Sequence, residues 1–275
     1  MIELPEAIGL SRLIVKEIKG KRIRNVSVNQ TPHKFAWFFG DPSEYDSKLK
    51  GKVIENAYAY GSFVEIKLGN IRLILSDGIN LRYFIEEKNT PQKHQLLIQF
   101  DDKTVLVATV RMYGGIWCFE GKEFDYRDYK LAKEKPSPLS DEFDYKYFED
   151  IILDKNLKGK SVKAVLATEQ RIPGLGNGVL QDILFNAKIH PKRKVKTLYS
   201  EDIKNLYNAI KSTLNEMVIK GGRDTEKNLH GIPGGYTTKL SRKTIKEPCV
   251  VCGGNIVKKT YMGGSIYYCE RCQKE

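Results

Sequence analysis

The segment Cys249-Val250-Val251-Cys252 is followed, after sixteen intervening residues, by Cys269-Glu270-Arg271-Cys272. Two Cys-x-x-Cys knuckles at this spacing are typical of a structural zinc site, in which four thiolates hold one tetrahedral ion at about 2.3 Å. Gly253-Gly254 permits a tight turn after the first knuckle, while Ile256-Val257 and Ile266-Tyr267-Tyr268 predict the two strands of a hairpin. The pattern therefore predicts a C-terminal zinc finger with one structural ion; a pair of disulfides or a redox site is the alternative.

The finger has little apolar core of its own, so the metal should supply much of its folding free energy. Sulfur would fill every ligand position, which leaves no open position for metal catalysis. The fifth cysteine, Cys118, stands alone between Trp117 and Phe119, and we expect it to be buried. Four cysteines within the last 27 residues do not form a disulfide framework spread along a secreted chain.

Composition excludes several classes of protein. The 275 residues are 41% hydrophobic and 29% charged, which favours a globular chain of about two domains. No apolar run approaches the roughly 18 residues that a membrane helix needs, and the N-terminus is acidic where a secretory signal is basic. We therefore expect an intracellular protein with no membrane partner.

The formal net charge is +12, and basic residues cluster in the ranges 188–196 and 239–259. A charge of this sign suits a polyanion, because each phosphate contact releases condensed counterions. A merely basic soluble protein is the alternative interpretation.

Residues 1–120 predict mostly strands. Short apolar runs at 70–75, 96–100 and 104–110, the last two separated by a turn, are typical of antiparallel hairpins. Apolar residues at helical spacing predict a leading helix over residues 6–18. We expect a β-sandwich with Trp37-Phe38-Phe39 in its core; a base-stacking platform is the alternative.

The remainder divides into three segments. Residues 121–139 are charged and end in Lys135-Pro136-Ser137-Pro138-Leu139, which indicates a linker. Residues 140–222 predict helices, one of which follows Ser200 and stops at Gly221-Gly222. Residues 223–275 comprise a polar connecting segment and the finger.

A glycine-rich turn, Ile172-Pro173-Gly174-Leu175-Gly176-Asn177-Gly178, lies between two helical patterns. Such a turn can expose backbone N–H groups beside a helix N-terminus, which is a ready phosphate site. Taken alone, the pattern is weak evidence and favours a plain loop between helices.

Three features in order resemble the Fpg/endonuclease VIII family of bacterial DNA glycosylases, which excise oxidised bases and cut the strand. They are Glu3-Leu4-Pro5-Glu6, the Gly176-Asn177 turn, and the finger ending Cys269-Glu270-Arg271-Cys272-Gln273. Pro138–Phe143, Ile189-His190-Pro191 and Lys93-His94 are also similar to the family. The resemblance spans nearly the whole chain and implies an α+β fold with a β-sandwich, a helix–two-turn–helix domain and a zinc finger. It also implies a monomer with duplex DNA, damaged or distorted, in the cleft between them.

The resemblance further implies which residues contact DNA. Lys163 and Asn177, with Gly176 beside it, would hold phosphates. When the damaged nucleotide flips out, Ile79, Arg111 and Tyr113 would fill the gap, since apolar wedges hold an unstacked step open. Methionine and phenylalanine are usual at the first and third positions, and β-sandwich core is the alternative for Ile79 and Tyr113.

The chain departs from the family at three positions. Ile2 replaces the N-terminal proline nucleophile, and because methionine removal requires a small second residue, we expect Met1 to stay. Its amine would lie about 3.8 Å from the usual position, yet a primary amine can form a Schiff base. Ser62 replaces a catalytic lysine, and Gly264 replaces the finger's DNA-contacting arginine.

The acidic residues Glu3 and Glu6 match the family. A carboxylate in a desolvated cleft can act as a general base, so Glu3 is the candidate for any remaining chemistry. The first hypothesis is a DNA glycosylase with altered catalysis and weak or absent strand cleavage at abasic sites. The second is a noncatalytic DNA-binding or damage-recognition protein. A third, a zinc-ribbon adaptor that binds protein, leaves the basic clusters and the Gly-Asn turn unexplained. The first two require the helical turn and the metal hairpin to converge on one groove.

Overall fold

The computed structural model describes residues 1–76, 78–121 and 124–275. It begins with helix α1, Leu4–Ile18, which starts two residues before the predicted helix. The Glu6 side chain accepts a hydrogen bond from the backbone N–H of Glu3 at 3.2 Å and so reinforces this start. Residues 7, 10, 14 and 18 form the fully buried stripe of the helix. This stripe is what attaches α1 to the sandwich.

Two sheets follow α1. The four-stranded antiparallel sheet has the order β1-β7-β8-β6, with strands β1 (Ile23–Val28), β6 (Ile79–Phe84), β7 (Leu96–Phe100) and β8 (Val105–Val110). The five-stranded sheet has the order β2-β9-β5-β4-β3, with strands β2 (Ala36–Phe38), β3 (Asn56–Tyr60), β4 (Phe63–Leu68), β5 (Ile71–Leu75) and β9 (Gly114–Glu120). Strand β2 is parallel to β9, whereas the other pairs of this sheet are antiparallel. A short helix α2, Tyr45–Leu49, packs on β1.

Apolar side chains from both sheets and α1 form one core, so the predicted β-sandwich is confirmed. Cys118 is 1% exposed and belongs to that core, as expected. The prediction for Trp37 is wrong: its side chain is 49% exposed. Strand β2 is a three-residue edge strand, and its alternate residues point away from the core.

The segment predicted as a linker contains helix α3, Arg127–Glu134. Tyr129 and Ala132 of α3 pack against Phe63, Trp117 and Phe119 on the outer face of the five-stranded sheet. The charged residues of α3 face solvent, which is why composition alone indicated a linker. The connection to the helical body therefore begins after α3.

The helical body comprises α4 (Tyr145–Leu153), α5 (Val162–Leu166), α6 (Asn177–Asn186) and α7 (Ser200–Ile219). Four short 3₁₀ turns accompany the helices and strands, at Pro42–Glu44, Glu87–Asn89, Lys155–Leu157 and Val195–Thr197. The apolar residues of α7 at helical spacing, Ile203, Leu206, Ile210, Leu214 and Met217, are buried in the helical core. Gly221 and Gly222 follow the helix with φ of +73° and +101°, as the sequence predicts for its end.

The C-terminal hairpin consists of β10 (Ile256–Tyr261) and β11 (Gly264–Cys269). It packs against Phe185 of α6 together with Cys249 and Cys269. The β-sandwich, helical body and four-cysteine hairpin predicted from the sequence are thus confirmed. Among the described residues, no helix is long and apolar enough to cross a membrane.

Candidate active site

Glu3 fastens the N-terminus to helix α6. Its Oε1 accepts a hydrogen bond from the Gly178 N–H at 2.8 Å, and its Oε2 accepts one from the Val179 N–H at 2.7 Å. The N-terminus of a helix favours an anion, because its N–H groups lack partners and the helix dipole is positive there. The anion held by these two amides is therefore the carboxylate of Glu3, whereas the sequence indicated a phosphate.

The glycines of the turn make this contact possible. A Cβ at Gly176 would lie 2.4 Å from the Glu3 carboxylate, and one at Gly178 would lie 1.6 Å from the Arg223 guanidinium. Gly174 has φ +81°, and its Cβ would lie 2.7 Å from that of Leu4. The glycine pattern thus serves the approach of Glu3 and Arg223 to the turn, and Gly176, predicted to contact DNA, lies directly against Glu3.

Arg223 joins the two acidic residues. Its guanidinium lies 3.2 Å from Glu3 Oε2 and 2.7 Å from Glu6 Oε2, and its Nε donates to Glu6 Oε1 at 3.0 Å. All three side chains are at least 92% buried. Burial opposes the charge of Arg223, but the attraction of Glu3 and Glu6 outweighs it and raises the pKa of Arg223. Glu3 and Glu6 therefore form a buried ion cluster with Arg223, which we call the N-terminal junction.

Sequence reasoning missed Arg223. The residue follows two glycines in a polar segment, and it is separated from Glu6 by 217 positions. No periodicity or spacing rule connects residues so far apart. The only signal was an arginine directly after the end of a helix.

The N-terminal amine lies beside this junction. It forms an ion pair with Glu226, a second residue that sequence reasoning missed, and the Met1 carbonyl accepts from Arg223 Nη2 at 3.3 Å. The Tyr113 hydroxyl lies 3.9 Å from the Met1 sulfur. Ile2 is 3% exposed and belongs to the sandwich core, whereas Met1 is 40% exposed. The amine of Met1 thus lies at the surface, while the residue at the family's proline position is buried.

Most predicted site residues meet in one cavity of about 220 Å³. Its lining includes six of the positions named above: Met1, Glu3, Ser62, Tyr113, Gly176 and Asn177. A second cavity, of about 320 Å³, contains Met1, Glu6, Ile79 and Arg111. The N-terminal residue lines both cavities. We call the first of these the N-terminal cavity.

The assignment of Ile79 as a wedge needs correction. Ile79 is 3% exposed and belongs to the sandwich core. It packs so closely on Gly114 that a Cβ added to that glycine would lie 2.8 Å from Ile79 Cδ1. This matches the alternative interpretation of that residue. The exposed apolar side chain at this edge is Met112, at 62%. Tyr113 is 36% exposed and lies against Trp37, with ring centroids 6.0 Å apart.

Lys163 and Asn177 connect the helical body to the finger. Lys163 Nζ donates to the Tyr261 carbonyl at 2.9 Å, and burial lowers the pKa of this lysine. Asn177 Nδ2 donates to the Ser265 carbonyl at 2.9 Å. A Cβ at Gly264 would lie 3.6 Å from Asn177, so that position has ordinary room for a side chain. The expected convergence of the Gly-Asn turn and the metal hairpin is confirmed.

The four finger cysteines form one cluster, with all Sγ atoms within 4.8 Å of one another. Cys249 and Cys272 sulfurs are 3.8 Å apart, and those of Cys252 and Cys269 are 3.4 Å apart. A tetrahedral ion with metal–sulfur bonds of about 2.3 Å places sulfurs ~3.8 Å apart. The residues therefore fit a four-thiolate metal site, as the sequence predicted.

The fold and the site together define a class of protein in which a glycine-rich helical turn contacts both an N-terminal acidic segment and a four-cysteine finger. The family model for the formamidopyrimidine-DNA glycosylase N-terminal domain matches residues 1–116, and the model for its H2TH domain matches residues 135–228. The chain belongs to the formamidopyrimidine-DNA glycosylase family, as its resemblance implied.

Individual relatives agree with the family models. The chain is 31% identical over 280 residues to a formamidopyrimidine-DNA glycosylase of Bacillus cereus, covering 99% of both proteins. It is 30% identical over 284 residues to that of Geobacillus kaustophilus, covering 100% of both. Among solved structures, Lactococcus lactis Fpg in complex with abasic-site DNA matches with a TM-score of 0.83 at 24% identity, covering 99% of this chain and 100% of that one. These structures support the same fold.

Proposed function

We propose that this protein binds duplex DNA at a damaged nucleotide and that its strand cleavage at abasic sites is weak or absent. Its Bacillus and Geobacillus relatives are named formamidopyrimidine-DNA glycosylases, and the similar Lactococcus lactis protein was solved with DNA containing an abasic site. The single observation that carries the proposal is the ion pair between the amine of Met1, which lines the N-terminal cavity, and Glu226, which lines the second cavity.

Affinity for DNA rests on charge and on two proposed phosphate ligands. The net charge of +12 favours a polyanion. An ammonium group has three N–H donors and a primary amide has two. Lys163 uses one for Tyr261 and Asn177 uses one for Ser265, so each keeps donor capacity for a phosphate in the groove beside the finger.

Impaired chemistry follows from the state of three groups. The Met1 nitrogen is engaged in an ion pair with Glu226, and it has to leave that carboxylate before it can attack the sugar. Ser62 supplies a hydroxyl where the family has a lysine, so no cation from that position reaches the N-terminal cavity. Both oxygens of Glu3 already accept hydrogen bonds from α6, so the carboxylate has to give one up before it can take a proton from water.

Base excision without strand cleavage is the second candidate function. The observation in its favour is that Met1, Glu3 and Ser62 line the same cavity. A small movement of Met1 away from Glu226 would give an amine positioned for attack, and Glu3 would then act on the positive charge that develops on the sugar.

The test uses duplexes that carry an oxidised purine, an oxidised pyrimidine or an abasic site. We expect binding to each at low salt, little strand cleavage, and little covalent adduct when borohydride is added. Efficient adduct formation would overturn the proposal of impaired amine chemistry. Base release that gives a trapped adduct but no strand cleavage, and that is abolished in Glu3→Gln, would instead establish the second candidate.

Phosphate contacts have their own readout. Lys163→Ala should weaken binding to all sequences alike and reduce the slope of log affinity against log salt by about one charge. Lys48→Ala is the matched control, because Lys48 of helix α2 pairs with Glu44, lies outside the basic clusters and is not a proposed ligand. An unchanged slope in Lys163→Ala would remove Lys163 from the phosphate site.

We also propose that the four-cysteine cluster holds one structural zinc ion. Four thiolates are the donor set that zinc prefers in closed, tetrahedral structural sites. When bound, the ion would supply folding free energy to the finger and leave the chemistry of the N-terminal cavity to the protein.

A further inference from the structure

Four exposed side chains and the half-buried His33 form a shallow, mostly apolar surface at the edge of the sandwich. They are contributed by the segment before and within β2 and by the turn before β9: His33, Phe35, Trp37, Met112 and Tyr113. The parallel pairing of β2 with β9, with Trp37 opposite Gly115, sets these two segments side by side. We call this surface, which encloses an open depression of about 630 Å³, the aromatic platform.

The platform exposes residues that a chain normally buries. Phe35 is 46% exposed, Trp37 49% and Met112 62%, whereas Trp117, the other tryptophan, is 6% exposed. Contiguous exposed apolar surface of this kind commonly marks a binding site. The Trp37 and Tyr113 ring centroids lie 6.0 Å apart with their planes 36° apart, and the two side chains are 49% and 36% exposed.

Two cationic side chains lie beside the aromatic rings of the platform. Arg111 lines the platform, and Lys34 Nζ lies 5.4 Å from the centroid of the Phe35 ring. An aromatic surface edged by cations is complementary to a nucleotide, whose base is flat and whose phosphate is negative. A base paired within a duplex has no exposed face, so the nucleotide that fits this surface is an unpaired one.

The aromatic platform shares residues with both of the cavities described above. Tyr113 lines both the platform and the N-terminal cavity, and Arg111 and Met112 line both the platform and the second cavity, which contains Met1 and Glu6. A base displaced from the helix near a damaged nucleotide therefore has a short path to these rings. No other ligand class matches flat rings, neighbouring cations and a shared border with a DNA groove as closely.

We propose that the aromatic platform stacks an unpaired nucleobase close to the damaged nucleotide, and that it gives the protein a preference for DNA containing unpaired bases over fully paired DNA. This inference rests on the proposed DNA-binding function. It assigns Trp37 as the main stacking ring, with Phe35 and Tyr113 on either side. A stacked base contributes about 1–3 kcal/mol in single-strand-binding proteins, which corresponds to a preference of roughly five- to 150-fold.

The experiment compares two abasic-site duplexes of the same sequence, one otherwise fully paired and one with a single unpaired nucleotide beside the abasic site. We expect wild-type protein to bind the second about tenfold more tightly. Trp37→Ala should remove that preference while leaving affinity for the paired duplex unchanged. Trp37→Phe keeps a ring and should keep most of the preference. Because Trp37 is half exposed, both variants should fold, which a thermal melt checks.

Fluorescence adds an independent readout. Only Trp37 of the two tryptophans is accessible, so quenching on binding reports stacking on that ring. The DNA with the unpaired base should quench the wild-type emission more strongly than the paired duplex does, and the difference should vanish in Trp37→Phe. Equal affinity for the two duplexes, or a preference that survives in Trp37→Ala, overturns the platform and leaves the proposed function standing. Failure to bind either duplex overturns both.

Discussion

The N-terminal junction and the aromatic platform differ in where they place charge and apolar surface. The junction buries Glu3, Glu6 and Arg223, each at least 92%, and gives every carboxylate a partner. The platform leaves Phe35, Trp37 and Met112 largely exposed only a few residues from the same groove. Globular proteins usually do the reverse, with charges outside and large apolar side chains inside.

The contrast teaches what each region contributes. Buried charges that are fully paired hold a geometry in place, since removing one partner leaves the other charged and desolvated. Exposed rings contribute nothing to the core and are available to a ligand. The acidic residues that match the family therefore maintain the frame of the N-terminal cavity, while the aromatic platform is the surface that we propose for recognition.

The largest effect should come from breaking the junction. Arg223→Met leaves Glu3 and Glu6 buried without their cation, and we expect the free energy of unfolding to fall by about 3–5 kcal/mol. Urea unfolding followed by circular dichroism measures this. The matched control is Lys220→Met, which removes an exposed pair with Glu216 and should cost about 0–1 kcal/mol. Similar losses in the two variants would show that the junction is not a cooperative unit.

Metal removal should have the next largest effect. A strong chelator should unfold the finger and remove the Tyr261 and Ser265 carbonyls that hold Lys163 and Asn177, so DNA affinity should fall at least about tenfold. Elemental analysis should find one zinc ion per chain beforehand. Added zinc should restore binding. Full DNA affinity in the metal-free protein would show that the folded finger does not contribute to DNA binding.

A smaller effect should follow from releasing the amine. Glu226→Gln removes the anion that pairs with Met1, and borohydride trapping on abasic DNA should rise by up to about fivefold, in line with the energy of a partly exposed ion pair. Glu216→Gln, at a carboxylate remote from the N-terminus, should trap as the wild type does. No rise in Glu226→Gln would mean that the position of the amine, rather than its ion pair with Glu226, limits the reaction.

The smallest effect should come from restoring a cation on the finger. Gly264 has room for a side chain beside Asn177, and Gly264→Arg should strengthen binding to duplex DNA a few-fold. The salt dependence should steepen by about one charge, whereas Gly264→Gln should not steepen it. An unchanged slope of log affinity against log salt in Gly264→Arg would show that position 264 does not face the DNA phosphates.

Local patterns predicted the parts of the molecule that depend on local chemistry. Cysteine spacing indicated the finger, alternation of apolar runs indicated the sandwich, and a helical stripe ended by Gly221-Gly222 indicated α7. These succeed because turns, strands and helices are selected by neighbours within a few residues. Helix α3 was missed because its two packing residues are outnumbered by solvent-facing charges.

The residues around the N-terminal cavity and the aromatic platform show what local sequence patterns cannot predict. The sequence by itself determined that Glu3, the glycine turn and the cysteines exist in this order and that a polyanion is a suitable partner. Only the tertiary structure decided that Glu3 occupies the N-terminus of α6, that Arg223 neutralises it, that Ile79 is core and that Trp37 is exposed. Each of these outcomes depends on contacts between residues that are far apart in the sequence. Burial and ion-pair partners are set by those tertiary contacts, so no local stretch of sequence can predict them.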